Sequence, residues 1–213
     1  NLATLKERGA VIISPSEGNL ACGDVGKGRM AEPGDIVAAI KETLNVSSSL
    51  AGKKFLVTAG GTMENIDGVR YVTNRSSGKM GCAIVRELKR RGAAVTLVCG
   101  RMAVEPPPFV EVVRADSAAE MFEAVKAAAQ DADIVVKAAA VADYRPKTVA
   151  AEKMKKQDGA LTLELERTTD ILAWLGAHKK PGQTLCGFAM ETENLLENAA
   201  GKLRRKNLDL IVA

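Results

Sequence analysis

The stretch Asn74-Arg75-Ser76-Ser77-Gly78-Lys79-Met80-Gly81 is a polar, glycine-interrupted loop that leads into an amphipathic segment. It is preceded by the apolar run Phe55-Leu56-Val57-Thr58-Ala59, which ends at Gly60-Gly61-Thr62 and is typical of a buried strand. Another apolar run, Val95–Cys99, follows the amphipathic segment. A strand, a helix and a parallel strand make a βαβ unit, which binds phosphates where the strand ends and the helix begins. The sequence therefore predicts an α/β protein with a ligand loop at this position.

The helix of this unit is predicted to end at Gly92 and to bury Met80, Ile84 and Leu88, which recur at helical spacing. Strand and helix patterns then alternate to the end of the chain. The predicted strands are Val110–Val113, Ile134–Ala139, a one-sided strand through Leu161, Leu163 and Leu165, and Thr184–Ala189, and the predicted helices are Ala118–Ala129, one capped by Thr169 or Asp170, and Glu191–Lys206. This alternation predicts a doubly wound, mainly parallel sheet, Rossmann-like and of the ribokinase-like variant.

Residues 1–44 form a separate block with a predicted helix Leu2–Arg8, a strand Ala10–Ile13, a glycine-rich loop Ala21–Met30 and a helix Pro33–Leu44. Residues 45–49 are rich in serine and are interpreted as a linker. The main domain is expected to be 50–213. Because the chain starts without Met and ends in an apolar run, we expect it to be cut from a longer polypeptide, with the domain truncated at its carboxyl end.

Composition excludes several classes of function. The net charge of +4 is too small to indicate nucleic-acid binding, and no apolar run reaches the roughly 18 residues that a membrane span needs. The four cysteines lack a C-x-x-C spacing and are expected to be free thiols in the cytoplasm. A Walker A loop is excluded by Thr73 and Met80, and a dinucleotide fingerprint is absent after the first strand. The single histidine, His178, lies in a surface-like turn, so a Ser-His-Asp site is not expected.

The ordered motifs of the main domain resemble the phosphopantothenoylcysteine synthetase half of the bacterial bifunctional phosphopantothenoylcysteine decarboxylase/synthetase. The matching runs are Val57–Thr62, Val69–Gly81, Ala138–Tyr144, Glu152–Lys156, Gly187–Thr192 and Lys206–Ala213. The run Ala21–Pro33 is similar to the end of the flavin-dependent decarboxylase half. Residues 1–44 are accordingly identified as a remnant of that domain, without its flavin site and catalytic histidine.

The resemblance implies a ligase of coenzyme A biosynthesis. It joins 4′-phosphopantothenate to L-cysteine through an acyl-cytidylate made from CTP, with Mg²⁺ bridging the phosphates. The full-length protein is expected also to decarboxylate 4′-phosphopantothenoylcysteine with FMN. The expected partners are these small molecules and a second copy of the domain, a homodimer that becomes a higher oligomer in the full-length protein.

The resemblance assigns two catalytic residues: Lys153 is expected to neutralise charge on the α-phosphate, against the alternative of a solvated loop, and Cys22 to donate a proton in the decarboxylase reaction. Asn74 can both donate and accept hydrogen bonds and is expected to hold the acyl-cytidylate as a third catalytic residue, against the alternative of an Asx turn before the helix. Asp143 is expected to hold Mg²⁺ or a ribose hydroxyl, against the alternative of a turn or cap residue. Phe188 is expected to pack on the base or sugar, against the alternative of a core residue. Lys202 and Lys206 share one helical face that suits a polyphosphate, against the alternative that they only complement the helix dipole. The expected nucleotide-binding set is Gly60, Gly61, Thr62, Ser76, Ser77, Gly78, Lys79, Ala138, Ala139, Ala140, Asp143, Lys153, Thr169, Asp170, Ile171, Leu172, Phe188, Lys202 and Lys206.

Two other functions stay open on sequence alone. The first is an NAD(P)-type Rossmann oxidoreductase, which the missing dinucleotide fingerprint disfavours. The second is a non-catalytic assembly domain that only helps the flavin-dependent half to oligomerise. The sequence also leaves CTP and ATP unresolved, because backbone atoms often select a base.

Overall fold

In the computed structural model of the chain, residues 1–19, 25–44, 47–156, 158–190 and 193–213 are described. The chain divides into two compact units, Asn1–Ser47 and Ser48–Ala213. The smaller unit contains α1 (Leu2–Glu7), β1 (Ser16–Asn19), β2 (Val25–Arg29) and α2 (Pro33–Leu44), and β1 and β2 pair antiparallel. The predicted strand Ala10–Ile13 is wrong, because the ladder that satisfies backbone groups here joins residues 16–19 to β2 instead.

The larger unit alternates strands and helices, with two small hairpins inserted. Its elements are β3 (Lys54–Ala59), β4 (Met63–Asn65), β5 (Tyr71–Thr73), α3 (Lys79–Arg90), β6 (Ala94–Cys99), β7 (Glu111–Arg114), α4 (Ala118–Ala128), β8 (Ile134–Lys137), β9 (Tyr144–Pro146), β10 (Leu165–Arg167), α5 (Ile171–Ala177), β11 (Thr184–Phe188), α6 (Leu195–Arg205) and β12 (Leu210–Val212).

Six strands form one sheet in the order β12-β11-β8-β3-β6-β7, and every neighbouring pair is parallel. The chain builds outward from β3 to β7 on one side, then returns to β8 on the other side of β3. This reversal of strand order is a topological switch point, and it opens a crevice beyond the carboxyl ends of β3 and β8. The predicted doubly wound, mainly parallel α/β fold is confirmed.

Apolar side chains cover both faces of the sheet, as parallel sheets require. One face carries Leu56, Val135 and Leu185, which pack with residues of α4 and α5, such as Met121 and Leu175. The other face carries Val57, Leu97 and Val136, which pack with Val85 of α3. Because helices cover both faces, polar loops gather at the ends of the strands.

The inner face of α3 differs from the prediction. Met80 is 60% exposed, and the buried residues of the helix are Gly81, Cys82 and Val85. Gly81 explains the difference, because a Cβ at this position would lie 2.5 Å from the Cβ of Ala59. The helix approaches β3 so closely that small residues define the contact, while Ile84 and Leu88 are only partly buried.

Three further boundaries differ from prediction. The strand predicted through Leu161 and Leu163 is wrong: only Leu165–Arg167 is a strand, and it pairs with β9 outside the main sheet. The alternating leucines do not form one buried face, because Leu161 and Leu165 are exposed and only Leu163 is half-buried. Strand β8 ends at Lys137 rather than Ala139, and α6 begins at Leu195, whose side chain is exposed and not buried as predicted.

The close contact at Gly81 predicts a stability difference between two helical glycines. Gly81→Ala should lower the free energy of unfolding by about 1–3 kcal/mol, because the new methyl group overlaps the backbone and Cβ of β3. Gly201→Ala is the control, because its Cβ would meet only the mobile end of Arg205 and should leave stability within about 1 kcal/mol. Urea unfolding measures both. Equal stabilities of the two variants would contradict the proposed packing of α3.

Candidate functional site

A cleft of about 700 Å³ lies at the carboxyl edge of the sheet, at the switch point between β3 and β8. Its walls come from the loops after β5, β8, β10 and β11 and from the start of α5 and the end of α6. The lining residues are Asn74, Arg75, Lys137, Ala138, Ala139, Ala140, Val141, Asp143, Arg167, Thr168, Thr169, Asp170, Ile171, Leu172, Phe188, Met190, Lys202 and Lys206. The volume suits a ligand of nucleotide size.

Two threonines of the β3 end hold the loop after β8 in place. The hydroxyl oxygens of Thr58 and Thr62 accept hydrogen bonds from the backbone N–H groups of Ala139 and Ala142, each at 3.0 Å. Both threonines and Ala142 are buried and Ala139 is half-buried, so the hydroxyls satisfy backbone donors that water reaches poorly. The floor of the cleft is therefore fixed before any ligand arrives.

Asn74 joins the loop after β5 to the same structure. Its Nδ2 donates to the carbonyl oxygen of Val141 at 3.0 Å, and the hydroxyl of Thr73 donates to the carbonyl oxygen of Thr62 at 2.6 Å. The neighbouring side chains of Thr73 and Asn74 thus join the loop after β5 to the loops after β3 and β8. The amide group of Asn74 lies at the wall of the cleft, where its oxygen is available to a ligand.

A smaller cavity of about 240 Å³ shares Asn74 and Arg75 with the cleft. Its other lining residues are Gly61, Thr73, Ser76, Arg101, Met102 and Ala103. The guanidinium of Arg101 lies 5.5 Å from the centre of the Tyr71 ring. The loop Asn74–Ser76 therefore lies between two adjacent spaces, and Asn74 and Arg75 line both of them.

The charge of the cleft is mainly positive. Five cationic side chains line it, Arg75, Lys137, Arg167, Lys202 and Lys206, against the two carboxylates of Asp143 and Asp170. Lys206 and Asp170 form an ion pair at 2.7 Å, and Lys202 donates to the carbonyl oxygen of Phe188 at 2.7 Å. Burial alone would raise the pKa of Asp170, but its hydrogen bonds with Lys206 and the Ala173 N–H and the charges of Lys206 and Lys137 lower it. Asp170 is therefore ionised, and the cleft keeps a positive surplus.

Asp143 is the carboxylate best placed to meet a metal ion. Its side chain is exposed, and no hydrogen bond or ion pair to another residue of the described ranges engages its carboxylate. Among those same ranges no group of three or more His, Cys, Asp or Glu side chains is close enough to hold a metal by itself. One carboxylate fits the way Mg²⁺ binds with nucleotides, in which phosphates and water supply the other ligands.

The segment 146–156 follows β9 and carries Lys153, whose side chain is exposed and lies outside the lining of both cavities. Its neighbour Met154 is anchored to the main body: the Met154 N–H donates to Oδ2 of Asp67 at 3.1 Å, and Nη1 of Arg70 donates to the Met154 carbonyl at 3.1 Å. Ala150, three residues before Lys153, also donates its N–H to the carbonyl oxygen of Ile66 at 3.0 Å. The backbone is therefore anchored on both sides of Lys153, whereas the Lys153 side chain itself is exposed.

Asp67 organises that anchor. It is 2% exposed and forms an ion pair with Arg70 at 2.8 Å. Burial alone would raise its pKa, but the N–H groups of Val69, Arg70 and Met154 and the charge of Arg70 together lower the pKa to about 2. The carboxylate is therefore ionised at every physiological pH.

Most of the predicted ligand residues meet in space. The cleft contains the predicted Asn74, Ala138, Ala139, Ala140, Asp143, Thr169, Asp170, Ile171, Leu172, Phe188, Lys202 and Lys206, and the smaller cavity contains Gly61 and Ser76. Gly60, Thr62, Ser77, Gly78, Lys79 and Lys153 line neither cavity. Cys22 and part of the predicted linker, residues 45–46, lie outside the described residues.

Six cleft residues were missed by sequence reasoning: Arg75, Lys137, Val141, Arg167, Thr168 and Met190. Lys137 could have been selected from the sequence, because it is a charged residue within the apolar run Ile134–Ala139. Charged side chains are rarely placed in a buried strand, where they lose contact with water. Arg75 lies inside the ligand loop itself. Arg167 and Met190 have no such signal, since their place depends on how β10 and β11 end.

Comparisons with known proteins match both units. Residues 50–213 match the profile of the DNA/pantothenate metabolism flavoprotein C-terminal domain, and residues 1–45 match that of the Flavoprotein family. The coenzyme A biosynthesis bifunctional protein CoaBC of Bacillus subtilis (strain 168) is 50% identical over 216 residues. The alignment covers 100% of this chain and 53% of that protein, so the chain spans about half the length of the curated relatives it matches.

Two solved structures share the fold. The crystal structure of the C-terminal domain of a coenzyme A biosynthesis bifunctional protein CoaBC has a TM-score of 0.70 and 50% identity, and the match covers 78% of this chain and 79% of that one. A Cab2 mutant in complex with phosphopantothenate-cysteine has a TM-score of 0.66 at 18% identity, covering 83% and 74%. At that identity the likeness shows the fold alone.

The buried Asp67 carboxylate predicts an acid-dependent contribution to stability. Because its pKa in the fold lies below the ordinary value of 3.8, ionised Asp67 stabilises the protein above about pH 4 and loses this effect as pH falls toward about 2. Asp67→Asn should therefore be less stable than the parent at pH 7, and the gap should close between pH 4 and pH 2. Thermal unfolding across this range measures it, with the exposed Glu123→Gln as control. A gap that stays constant down to pH 2 would contradict the assignment.

Proposed function

The chain belongs to the DNA/pantothenate metabolism flavoprotein C-terminal domain family, and we propose that its larger unit is a CTP-dependent ligase that joins 4′-phosphopantothenate to L-cysteine. The resemblance seen in the ordered motifs is confirmed by the family match and by the CoaBC relatives. Those relatives are named for coenzyme A biosynthesis, which is the pathway proposed for this chain. The chemistry itself is argued from the cleft.

The observation that carries the proposal is the positively charged cleft at the switch point, with Asn74 at its wall. A nucleoside triphosphate brings about four negative charges at neutral pH, so its site needs cations and hydrogen-bond donors. Five cationic side chains line a space of about 700 Å³, and only two carboxylates oppose them. Phe188 and Leu172 add apolar surface on which a base or sugar can pack.

The proposed reaction has two steps. In the first, a carboxylate oxygen of 4′-phosphopantothenate attacks the α-phosphorus of CTP, the bond to the β-phosphate oxygen breaks, and pyrophosphate leaves. In the second, the neutral amine of cysteine attacks the acyl carbon, the bond to the CMP oxygen breaks, and the nitrogen gives up a proton. Both steps require positioning and neutralisation of charge rather than a strong protein nucleophile.

Asn74 suits the junction of the two steps. Its Nδ2 is committed to the carbonyl oxygens of the loop after β8, which orients its oxygen and fixes the loop that carries it. It lies between the cleft and the smaller cavity, where an acid substrate and a nucleotide can meet. In this proposal Asn74 holds the acyl-cytidylate, and Lys153 moves in from its exposed segment to neutralise the α-phosphate.

Magnesium fits the donor set of the cleft as a partner of the phosphates. Asp143 would hold the ion or a ribose hydroxyl, and bound Mg²⁺ would supply charge neutralisation to the phosphates. The carbonyl of Asp143 accepts a hydrogen bond from the Thr168 N–H at 2.9 Å, which fixes the backbone from which the carboxylate extends.

A nicotinamide-linked oxidoreductase is the weaker candidate, although the strand order is that of dinucleotide-binding folds. In those folds the first strand turns directly into a helix whose N-terminus holds the pyrophosphate. Here β3 leads into the hairpin β4–β5, and α3 starts only at Lys79. The direct turn from strand to helix that a dinucleotide site requires is therefore absent here, and the loop Asn74–Gly78 leads into α3 instead.

The proposal extends to a longer protein of the kind represented by the CoaBC relatives, of which this chain covers about half. Residues 1–45 match the Flavoprotein family, which supports an FMN-dependent decarboxylase upstream, with Cys22 as its proton donor. Exposed apolar side chains on the two hairpins, Val72, Tyr144 and Leu165 among them, support a homodimer of the larger unit. No helix within the described ranges is long and apolar enough to cross a membrane.

The first prediction concerns the nucleotide. CTP with Mg²⁺ should raise the melting temperature of the chain more than ATP or NADPH does at equal concentration, because a ligand stabilises the folded state by RT ln(1 + [L]/Kd), which is larger for the tighter ligand. Differential scanning fluorimetry compares the three. A larger shift with NADPH would favour the oxidoreductase, and equal shifts with CTP and ATP would remove the cytosine assignment.

The second prediction concerns Lys153. If this lysine neutralises the α-phosphate, Lys153→Gln should slow formation of the acyl-cytidylate by roughly 100-fold or more, as for other lost electrostatic stabilisers. A quenched single-turnover assay with labelled CTP and 4′-phosphopantothenate, without cysteine, isolates this step. Lys147→Gln is the matched control, since Lys147 lies in the same segment but pairs with Glu164 at 2.7 Å. Normal intermediate formation by Lys153→Gln would refute the role.

A further inference from the structure

Asp67 is a buried carboxylate in the turn of the β4–β5 hairpin, and it lines neither the cleft nor the smaller cavity. Its two oxygen atoms bind different parts of the chain. Oδ1 accepts hydrogen bonds from the backbone N–H groups of Val69 and Arg70, at 2.8 and 2.7 Å, and these bonds close the turn itself. Oδ2 accepts from the Met154 N–H at 3.1 Å and from Nη1 of Arg70 at 2.8 Å. The second oxygen therefore binds the segment that carries Lys153.

The turn alone does not explain why this residue is an aspartate. Asn or Ser would also accept hydrogen bonds from N–H groups two and three residues further along the chain, as in an ordinary Asx or ST turn. An Asn, however, has one carbonyl oxygen and an NH₂ group that only donates, so it cannot bind the turn and the Met154 N–H with separate oxygens. Aspartate supplies both acceptors from one short side chain. The connection to the Lys153 segment thus accounts for the residue type.

This segment is held by hydrogen bonds rather than by burial, since the side chains of residues 151–153 are all exposed. Contacts on either side of these three residues fix the backbone. The Ala150 N–H donates to the carbonyl oxygen of Ile66 at 3.0 Å, and the Met154 N–H donates to Asp67. The two acceptors are neighbours on the hairpin, so the hairpin sets the place from which the lysine side chain extends.

The same hairpin leads directly to Asn74. This residue follows the last residue of β5, and its amide donates to the loop after β8. At its other strand the hairpin is joined to the core, because the buried Glu64 accepts a hydrogen bond from the Ala118 N–H at the start of α4, at 2.9 Å. One anchored element therefore carries Asn74 and, through Asp67, holds the backbone of Lys153.

We propose that Asp67 is a positioning residue for the proposed attack on CTP, and that its carboxylate fixes the backbone of Lys153 relative to Asn74. This inference rests on the proposed function, because Asp67 acts through the role given there to Lys153. When the backbone is fixed, less conformational freedom is lost as the lysine side chain turns to the α-phosphate. A released segment would place the ammonium group correctly less often, which slows acyl-cytidylate formation without weakening nucleotide binding.

The test combines Asp67→Asn with Lys153→Gln in the intact protein. A quenched single-turnover assay with saturating CTP, Mg²⁺ and 4′-phosphopantothenate, without cysteine, measures formation of the acyl-cytidylate. Asp67→Asn alone should slow this step roughly 10-fold, because the lysine is less often in position. In the Lys153→Gln background the same change should alter the rate by less than about 2-fold, because the group that Asp67 positions is gone. The dissociation constant of CTP should stay unchanged in both backgrounds.

Asp67→Ser is a second variant that keeps one acceptor for the turn and places no extra donor beside Met154, and it should give the same pattern. Asp158→Asn is the control, because it removes an exposed carboxylate close to the segment in sequence. Trypsin should cleave after Lys155 faster in both Asp67 variants than in the parent, which tests the anchor without any substrate. Unchanged cleavage would overturn the inference.

The kinetic outcomes separate this inference from the proposed function. Equal slowing by the Asp67 variants with and without Lys153 would show that Asp67 only supports the fold, and it would refute the inference while the ligase proposal stands. Normal acyl-cytidylate formation by both Asp67 variants would refute it in the same way. A parent protein that forms no acyl-cytidylate from CTP would instead refute the proposed function, and the inference would fall with it.

Discussion

The parallel pairing of β3 with β8 is the interaction on which the rest of this unit depends. The two strands are distant in sequence, yet Phe55–Thr58 lie in register with Ile134–Lys137. The chain reverses its direction of sheet growth at this pair, and loops from both halves meet beyond it. The buried hydroxyls of Thr58 and Thr62 then bind the backbone of the loop after β8. Packing and hydrogen bonding thereby create the cleft before any catalytic side chain is considered.

The strands of the sheet could be predicted from the sequence, because a buried strand appears as a short local run of apolar residues. The bounds predicted for β3, β11 and α4 lie within a residue or two of those observed. The hydroxyl of Ser117 caps α4 by accepting a hydrogen bond from the Glu120 N–H at 3.2 Å. The errors fall where tertiary contact overrides the pattern. Met80 is exposed because Gly81 lets α3 approach β3, and Leu161 and Leu165 are exposed although their alternation predicts a buried face.

The candidate site was only partly predictable, for the same physical reason. Motif residues such as Asn74, Asp143 and Lys206 could be selected one by one, and the structure brings them to one cleft. Arg167 and Met190 could not, because their place depends on where β10 and β11 end. Lys137 carried a visible signal, a cation inside an apolar strand, but the charges that face it, those of Lys202, Lys206 and Asp170, follow only from the fold. Charge clusters of this kind exist only in three dimensions.

A crystal structure of the chain with Mg²⁺ and a CTP analogue that carries a methylene bridge between the α- and β-phosphates tests the central claim most directly. The account predicts that the phosphate chain lies at the carboxyl edge between β3 and β8, with oxygens within about 3 Å of the Lys137, Lys202 or Lys206 ammonium groups and the α-phosphate close to Asn74. A nucleotide bound elsewhere on the larger unit, with this cleft filled only by water, would contradict it.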